Sequence, residues 1–358
     1  MPRATEVLIS LSALRHNLRR AASLAPAARV WAVVKANAYG HGLEAVLPAL
    51  DQADGLALVE FDGAMALREA GWTKPILLLE GAFGPEDTAL AAACRLGLVV
   101  HEPRQIDWLA GVPNHQKIDV YLKFNSGMNR LGLAATDFVR AHERLRSLPG
   151  VGTITLMTHF ANADQPGGAD RALASFEEVS RGLPGPRSLA NSAAVFDLPQ
   201  AHADWIRPGI MLYGATPTAD RSARSLGLQP VMSLQSRLIA VQHLAPGDAV
   251  GYGSTFVAEQ SMRIGIVACG YADGYPRHAP TGTPVAVADC RTRTLGRVSM
   301  DMLAVDLEPV PNASVGDRVQ LFGDLVPVDE VAACAGTIGY ELLCAIAPRV
   351  RRVVVDHG

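Results

Sequence analysis

Apolar and polar positions change texture once along the chain. From residue 28 to about 215, short apolar runs recur at 30–34, 55–59, 76–79, 97–100, 118–124, 154–157, 187–190 and 204–206. Most of the stretches between them carry helix punctuation. Gly71 follows a helical pattern at 60–70, and Pro85-Glu-Asp opens a helix that Gly97 closes. Thr136-Asp-Phe opens another, and Gly182 ends the one after Asp170. Continuous apolar runs of this length read as buried parallel strands, which need crossovers of the length found here. Eight such units predict an α/β fold that closes into an N-terminal (β/α)8 barrel. After Tyr213 the apolar runs fall at 231–244, 249–251, 263–268, 284–287, 291–298, 303–307 and 318–322. Turn signals such as Pro246-Gly-Asp and Val315-Gly-Asp separate them, which predicts a mostly antiparallel C-terminal β domain. The polar linker 215–228 divides the two, giving a barrel over 10–225 and a β domain over 226–358. Residues 1–9 join the β domain, because the strand at 6–11 has no partner in the barrel count. The helix behind it carries Leu14, Leu18, Ala21 and Ala25 at helical spacing, with Ser12 as its N-cap.

Composition narrows the class. With 358 residues, 49% of them apolar, the chain can bury a large core and exceeds one typical domain. A net charge of −3 with scattered arginines points to neither nucleic acid nor an anionic membrane. No apolar stretch reaches the length of a bilayer helix, and residues 1–6 do not read as a signal peptide, so the expected location is the cytoplasm. Five widely spaced cysteines show neither a CxxC pair nor metal spacing, and they read as free thiols with no metal site.

The chemistry begins at Trp31-Ala-Val-Val-Lys35-Ala-Asn-Ala-Tyr39-Gly-His-Gly42. Lys35 stands where an apolar strand stops. Isolated, such a lysine reaches out to water. At the mouth of an apolar core, desolvation favours its neutral amine, the form that makes a Schiff base. A second segment is Asp204-Trp-Ile-Arg207-Pro-Gly209-Ile210-Met-Leu-Tyr213. A strand there turns into a short helix whose N–H groups offer an anion site, at the position where barrels bind phosphate. Asn191 and Ser192 add an amide and a hydroxyl at the same barrel face. Further segments are Tyr121-Leu-Lys123-Phe-Asn125-Ser-Gly-Met-Asn-Arg130 and Thr158-His159-Phe in the barrel. In the β domain stand Gly251-Tyr252-Gly, Gly270-Tyr271-Ala-Asp-Gly-Tyr275, Ser299-Met300-Asp301 and Gly339-Tyr340-Glu341.

Taken together from about residue 9 to 349, these segments resemble alanine racemases, the fold-type III pyridoxal-phosphate (PLP) enzymes. Asn125-Ser-Gly-Met-Asn-Arg130 and Gly274-Tyr-Pro-Arg-His-Ala-Pro280 look most like Gram-negative members of catabolic type. The resemblance implies pyridoxal 5′-phosphate attached to Lys35. It implies a phosphate held around Tyr39, Asn191, Ser192, Gly209, Ile210 and Tyr340, with His159 stacked on the ring. Arg207 matches the arginine that faces the pyridine nitrogen, where an always-charged guanidinium disfavours a protonated ring. Arg130 matches the residue that binds the substrate carboxylate, and Lys123 a lysine that several members carbamylate. Position 125 is Asn where many members have Asp, which removes one negative charge beside Arg130.

The implied activity is two-base racemisation of L- and D-alanine, supplying D-alanine for cell wall or interconversion for catabolism. Lys35 works one face of the substrate. Tyr252, from the partner in a homodimer with shared sites, works the other. Tyr271, Tyr340 and Met300 line a pocket for a methyl side chain. A broader-specificity PLP racemase and a non-enzymatic PLP-binding barrel are the alternative readings, and the second domain speaks against the latter.

Overall fold

The computed structural model describes residues 3–356, so the ends of the region assigned to the β domain, 1–2 and 357–358, lie outside the described residues. The chain starts with β1 (Glu6–Ser10) and helix Leu11–Leu24. It then lays down β2 (Arg29–Val33), β3 (Gly55–Leu58), β4 (Ile76–Leu78), β5 (Leu96–Val100) and β6 (Ile118–Lys123). β7 (Val151–Met157), β8 (Arg187–Asn191) and β9 (Trp205–Arg207) follow. These last eight strands, β2 to β9, are all parallel and form a closed barrel in chain order, with Val30 opposite Ile206 at the seam. Their burial is nearly continuous, as expected of strands covered on both faces. Helices Phe61–Glu69, Pro85–Ala93, Pro103–Leu109, Ala135–Ser147, Asp170–Val179 and Ser192–Asp197 make the crossovers from β3 onward. Inside the barrel Trp31 stacks on Trp205 at 4.5 Å and donates to the Tyr121 hydroxyl at 3.0 Å.

The second unit contains β10 (Met232–Leu244), β11 (Ala249–Val250), β12 (Phe256–Val257), β13 (Met262–Val267) and β14 (Pro284–Val287). It continues with β15 (Cys290–Leu295), β16 (Leu303–Asp306), β17 (Arg318–Phe322) and β18 (Arg351–Val355). One eight-stranded sheet runs β13-β16-β15-β14-β17-β10-β1-β18. β10 is long enough to pair with β1 and β17 through its first half and with β13 through its second. β1 therefore finds the partners that the barrel could not give it: β10 antiparallel and β18 parallel.

Several local expectations are corrected. Ser10, not Ser12, caps the first helix, its hydroxyl accepting from Ala13 N at 3.2 Å. Gly97 does not close the helix begun at Pro85. That helix ends at Ala93 and the chain reverses through Arg95 at φ 54°, leaving Gly97 inside β5. β18 and helices Val328–Cys334 and Gly339–Cys344 had no counterpart in the apolar pattern. None of the described helices is long and apolar enough to cross a membrane.

Candidate active site

Every barrel strand ends on the same rim, so the residues just past the strand ends form a ring. In strand order from β2 the ring reads Lys35, Glu60, Glu80, His101, Lys123, His159, Asn191-Ser192 and Arg207. The sequence analysis placed Lys35, Lys123, His159, Asn191, Ser192 and Arg207 there, and the barrel brings all six to one end. It passed over Glu60, Glu80 and His101, which follow ordinary apolar runs and carry no motif.

Lys35 opens an unusual turn. Ala36, Asn37, Ala38 and Tyr39 all take left-handed backbone angles, with φ between 51 and 54°. L-residues avoid this conformation at a cost of roughly 1–2 kcal/mol each, so packing must hold it. Gly40, at φ 80°, closes the turn, and a Cβ there would sit 2.1 Å from the carbonyl oxygen of Leu343. Helix Gly339–Cys344 thus lies directly on the turn, and Arg352 of β18 donates to Gly40 O at 2.9 Å. Gly40→Ala meets both the backbone and the contact penalty. It is expected to lower unfolding free energy by about 2 kcal/mol or more in a denaturant titration, with weakened cofactor retention.

The turn aims Tyr39 into the barrel mouth. Its ring stacks on Tyr213 at 4.6 Å and lies 6.1 Å from Tyr340, and burial pushes all three phenols well above their ordinary range. They remain neutral donors. A Cβ on Gly209 would fall 2.3 Å from the Tyr39 hydroxyl oxygen, so only glycine lets that hydroxyl approach. Gly209 N donates to Ser192 Oγ at 2.8 Å, and Asn191 caps its helix by accepting from Ala194 N at 3.1 Å. The starts of helix Ser192–Asp197 and of the 3-10 turn Ile210–Tyr213 therefore meet beside Tyr39.

Arg207 is buried with no ion-pair partner among the described residues. It is held by neutral acceptors: Ser188 Oγ at 2.6 Å, Thr158 O at 2.6 Å and Leu189 O at 3.1 Å. Burial pushes it down to about 10. His159 is pushed well below its ordinary value by burial and then by Arg207, so its imidazole is neutral. Burial, then Arg207, Arg130 and Lys35, bring Lys123 down to about 8. The Lys35 amine is lowered by burial first and by Arg130 second. Asn125 spends its amide within its own loop. Its Oδ1 accepts from Gly127 N and Asn129 N, at 3.1 and 3.0 Å, and its Nδ2 donates to Asn129 Oδ1.

Tyr252, Tyr271 and Met300 stand apart. Tyr271 and Met300 are neighbours, tied by Ala272 N donating to Met300 O at 3.0 Å. All three are exposed, Tyr252 at 72%, and none is among the groups that act on the charge of Lys35. A single chain supplies the rim of cations but does not bring these side chains onto it.

The residues present fit PLP. Lys35, Lys123, Arg130 and Arg207 gather within mutual electrostatic reach, each depressing the ionisation of a neighbour, which is the setting for a strongly anionic ligand. The cradle at Gly209, open only because no Cβ is there, adjoins them.

Comparison with known proteins agrees with this geometry. Residues 9–217 match the family model described as alanine racemase, N-terminal domain, and residues 231–354 match alanine racemase, C-terminal domain. The alanine racemase of Janthinobacterium sp. (strain Marseille) is 55% identical, covering 99% of this chain and 100% of that protein. The biosynthetic alanine racemase of Pseudomonas aeruginosa superposes with a TM-score of 0.95 at 49% identity, over 99% of each chain. An alanine racemase from Bartonella henselae, with covalently bound pyridoxal phosphate, gives 0.89 at 26% identity, over 99% of this chain and 100% of that one. The chain belongs to the alanine racemase family.

Proposed function

We propose that this protein interconverts L- and D-alanine as a PLP-dependent racemase, and that the ring of cations on the barrel rim is its cofactor and substrate site. The observation that carries the reading is the buried, carboxylate-free Arg207 at the end of β9, the strand paired with the β2 that leads into the depressed amine of Lys35. The cofactor, when bound, withdraws electrons from the substrate's α-carbon and so acidifies its proton.

The chain's residues do the rest. Lys35 holds the cofactor and, when freed by substrate, takes or returns the α-proton on one face. Burial first and Arg130 second lower its basicity, which favours the neutral amine relative to a solvated lysine. Tyr39, Asn191, Ser192, Gly209, Ile210 and Tyr340 surround the phosphate, with the two converging helix starts supplying N–H groups. His159, neutral, would pack on the cofactor ring. Arg207 would face the ring nitrogen, where its guanidinium would disfavour protonation of that nitrogen. Arg130, whose loop leaves it no acidic partner at Asn125, takes the substrate carboxylate. Lys123 is an amine brought down to about 8 beside Arg130, and carbamylation there would restore the missing negative charge.

Tyr252 is the acid/base on the other face, supplied by the partner in a homodimer, with Tyr271 and Met300 restricting the pocket to a methyl side chain. The exposure of all three on a single chain supports this. We also place the domain division at 225/226, with residues 1–9 belonging to the β domain. The cytoplasm, with its reducing poise, suits the five free cysteines.

The experiment is a racemisation assay of the purified yellow protein on a panel of amino acids. Alanine is expected to turn over at least about tenfold faster than serine or any larger residue, since each methylene is worth about 1–3 kcal/mol in such a pocket. Comparable rates on bulky side chains would make it a broad-specificity racemase.

A further inference from the structure

Two carboxylates occupy the arc of the rim between its two lysines. Lys35 follows β2, Glu60 follows β3, Glu80 follows β4, His101 follows β5, and Lys123 ends β6. The register keeps these ends level: Val33 pairs with Ala57, Leu58 with Leu78, Leu78 with Leu98, and Val100 with Leu122. Glu60 spends its carboxylate locally, accepting from Ala36 N at 3.4 Å and Val59 N at 3.3 Å. Glu80 does not. None of the hydrogen bonds among the described residues uses its carboxylate, although its backbone is fixed. His101 Nε2 and Gln105 Nε2 lie 3.0 and 3.4 Å from its carbonyl oxygen, and Gln105 Nε2 also donates to Ala82 O at 3.0 Å.

We propose that the Glu80 carboxylate is the shared counter-charge of Lys35 and Lys123, acting on both amines through space from its place on the arc between them, where Asn125 supplies no negative charge. The proposal rests on the functional reading of Lys35 above. The charged and titratable groups around Lys35 are Arg130 after β6, Lys123, His159, Cys344 on helix Gly339–Cys344, Glu60, Glu80 and the phenols of Tyr39 and Tyr340. Burial and Arg130 weaken the ammonium of Lys35, and Glu80 is the foremost group opposing them. Glu80 is also the carboxylate that supports the ammonium of Lys123. Glu80 thus works against a cluster of like charges, opposing the fall in basicity that burial and Arg130 impose on Lys35.

Four lysines in the chain make the test direct: Lys35, Lys74, Lys117 and Lys123. The full-length protein, stripped of cofactor, is labelled with acetic anhydride across a pH series, and each lysine peptide is quantified by mass spectrometry. Removing the charge in Glu80→Gln lowers the basicity of both rim amines, so more of each is neutral at a given pH. Lys35 and Lys123 are expected to label about threefold faster near pH 8, with exposed Lys117 unchanged. Glu80→Asp, which keeps the charge, is expected to follow the parent, and ~1 M salt to shrink the difference, because Glu80 is exposed. Coincident curves for the parent and Glu80→Gln would overturn the proposal, and so would equal shifts in the Gln and Asp variants, which would signal packing. Because the readout is the amine itself, a shifted curve in a chain without racemase activity removes the functional reading alone. An unshifted curve in an active racemase removes this proposal alone.

Discussion

Lys35→Ala is expected to give a folded, colourless protein that has lost racemase activity by roughly 10³-fold or more, the combined loss of the attachment amine and one acid/base. The rim makes the assignment sharper than the sequence did. Lys123 also ends a barrel strand and is buried, and its amine, brought down to about 8, is a competent nucleophile. Lys74 and Lys117 are exposed and far less suited. The choice is therefore between two lysines. Lys35 lies on the turn that also carries Tyr39, against Gly209 and the meeting helix starts, whereas Lys123 lies beside Arg130 and His159. Borohydride reduction of the yellow parent protein followed by peptide mapping separates them. The reduced label is expected on the peptide containing Lys35. Label on the Lys123 peptide would exchange the two roles.

The barrel was legible because a buried parallel strand leaves an apolar run that little else produces. Each of the eight runs became a strand with ends within a few residues of those expected. Local polar chemistry was less legible. Ser10 and Ser12 are both good caps, and only the pairing of β1 with β10 and β18 fixes where the helix begins. β18 reads Arg-Arg-Val-Val-Val, an edge strand that relies on β1, 345 positions away, so no nearby turn announces it. The left-handed turn at 36–39 is invisible in composition because Ala and Tyr do not favour it and a single Asn does not announce a run of four. It exists through Leu343, Arg352 and Gly40.

Within the site, resemblance named the cofactor residues, and the fold supplied what resemblance could not. It showed the neutral acceptors that hold Arg207, the self-contained loop of Asn125, and the acidic arc of Glu60 and Glu80. The likeness of residues 125–130 and 274–280 to catabolic-type members does not set the chain apart from biosynthetic ones, since a relative described as biosynthetic superposes at a TM-score of 0.95.

Tyr252→Phe is expected to cut racemisation by roughly 10²–10⁴-fold while leaving cofactor binding intact, because in the proposed mechanism the phenol acts on the α-proton and not on the anchor. Tyr252 sits in the short turn Tyr252–Ser254 between β11 and β12, exposed and outside the rim of its own chain. With one of two opposed bases removed, Lys35 can still exchange the α-proton of one enantiomer. In deuterated water, D-alanine is expected to gain solvent label at its α-carbon while L-alanine does so far more slowly. Equal labelling of both would take Tyr252 out of the mechanism. Subunit origin is read by mixing Tyr252→Phe with Lys35→Ala. If the sites are shared across a two-fold axis, each mixed dimer has one site with both Lys35 and Tyr252 intact and one with neither. Random pairing at equal concentrations then restores about a quarter of the parent activity. If Tyr252 serves the site of its own chain, every site in the mixture lacks one base and no activity returns. The yield of mixed dimers, measured by native mass spectrometry of differently tagged chains, fixes the denominator, so absence of recovery with mixed dimers present would refute the shared site.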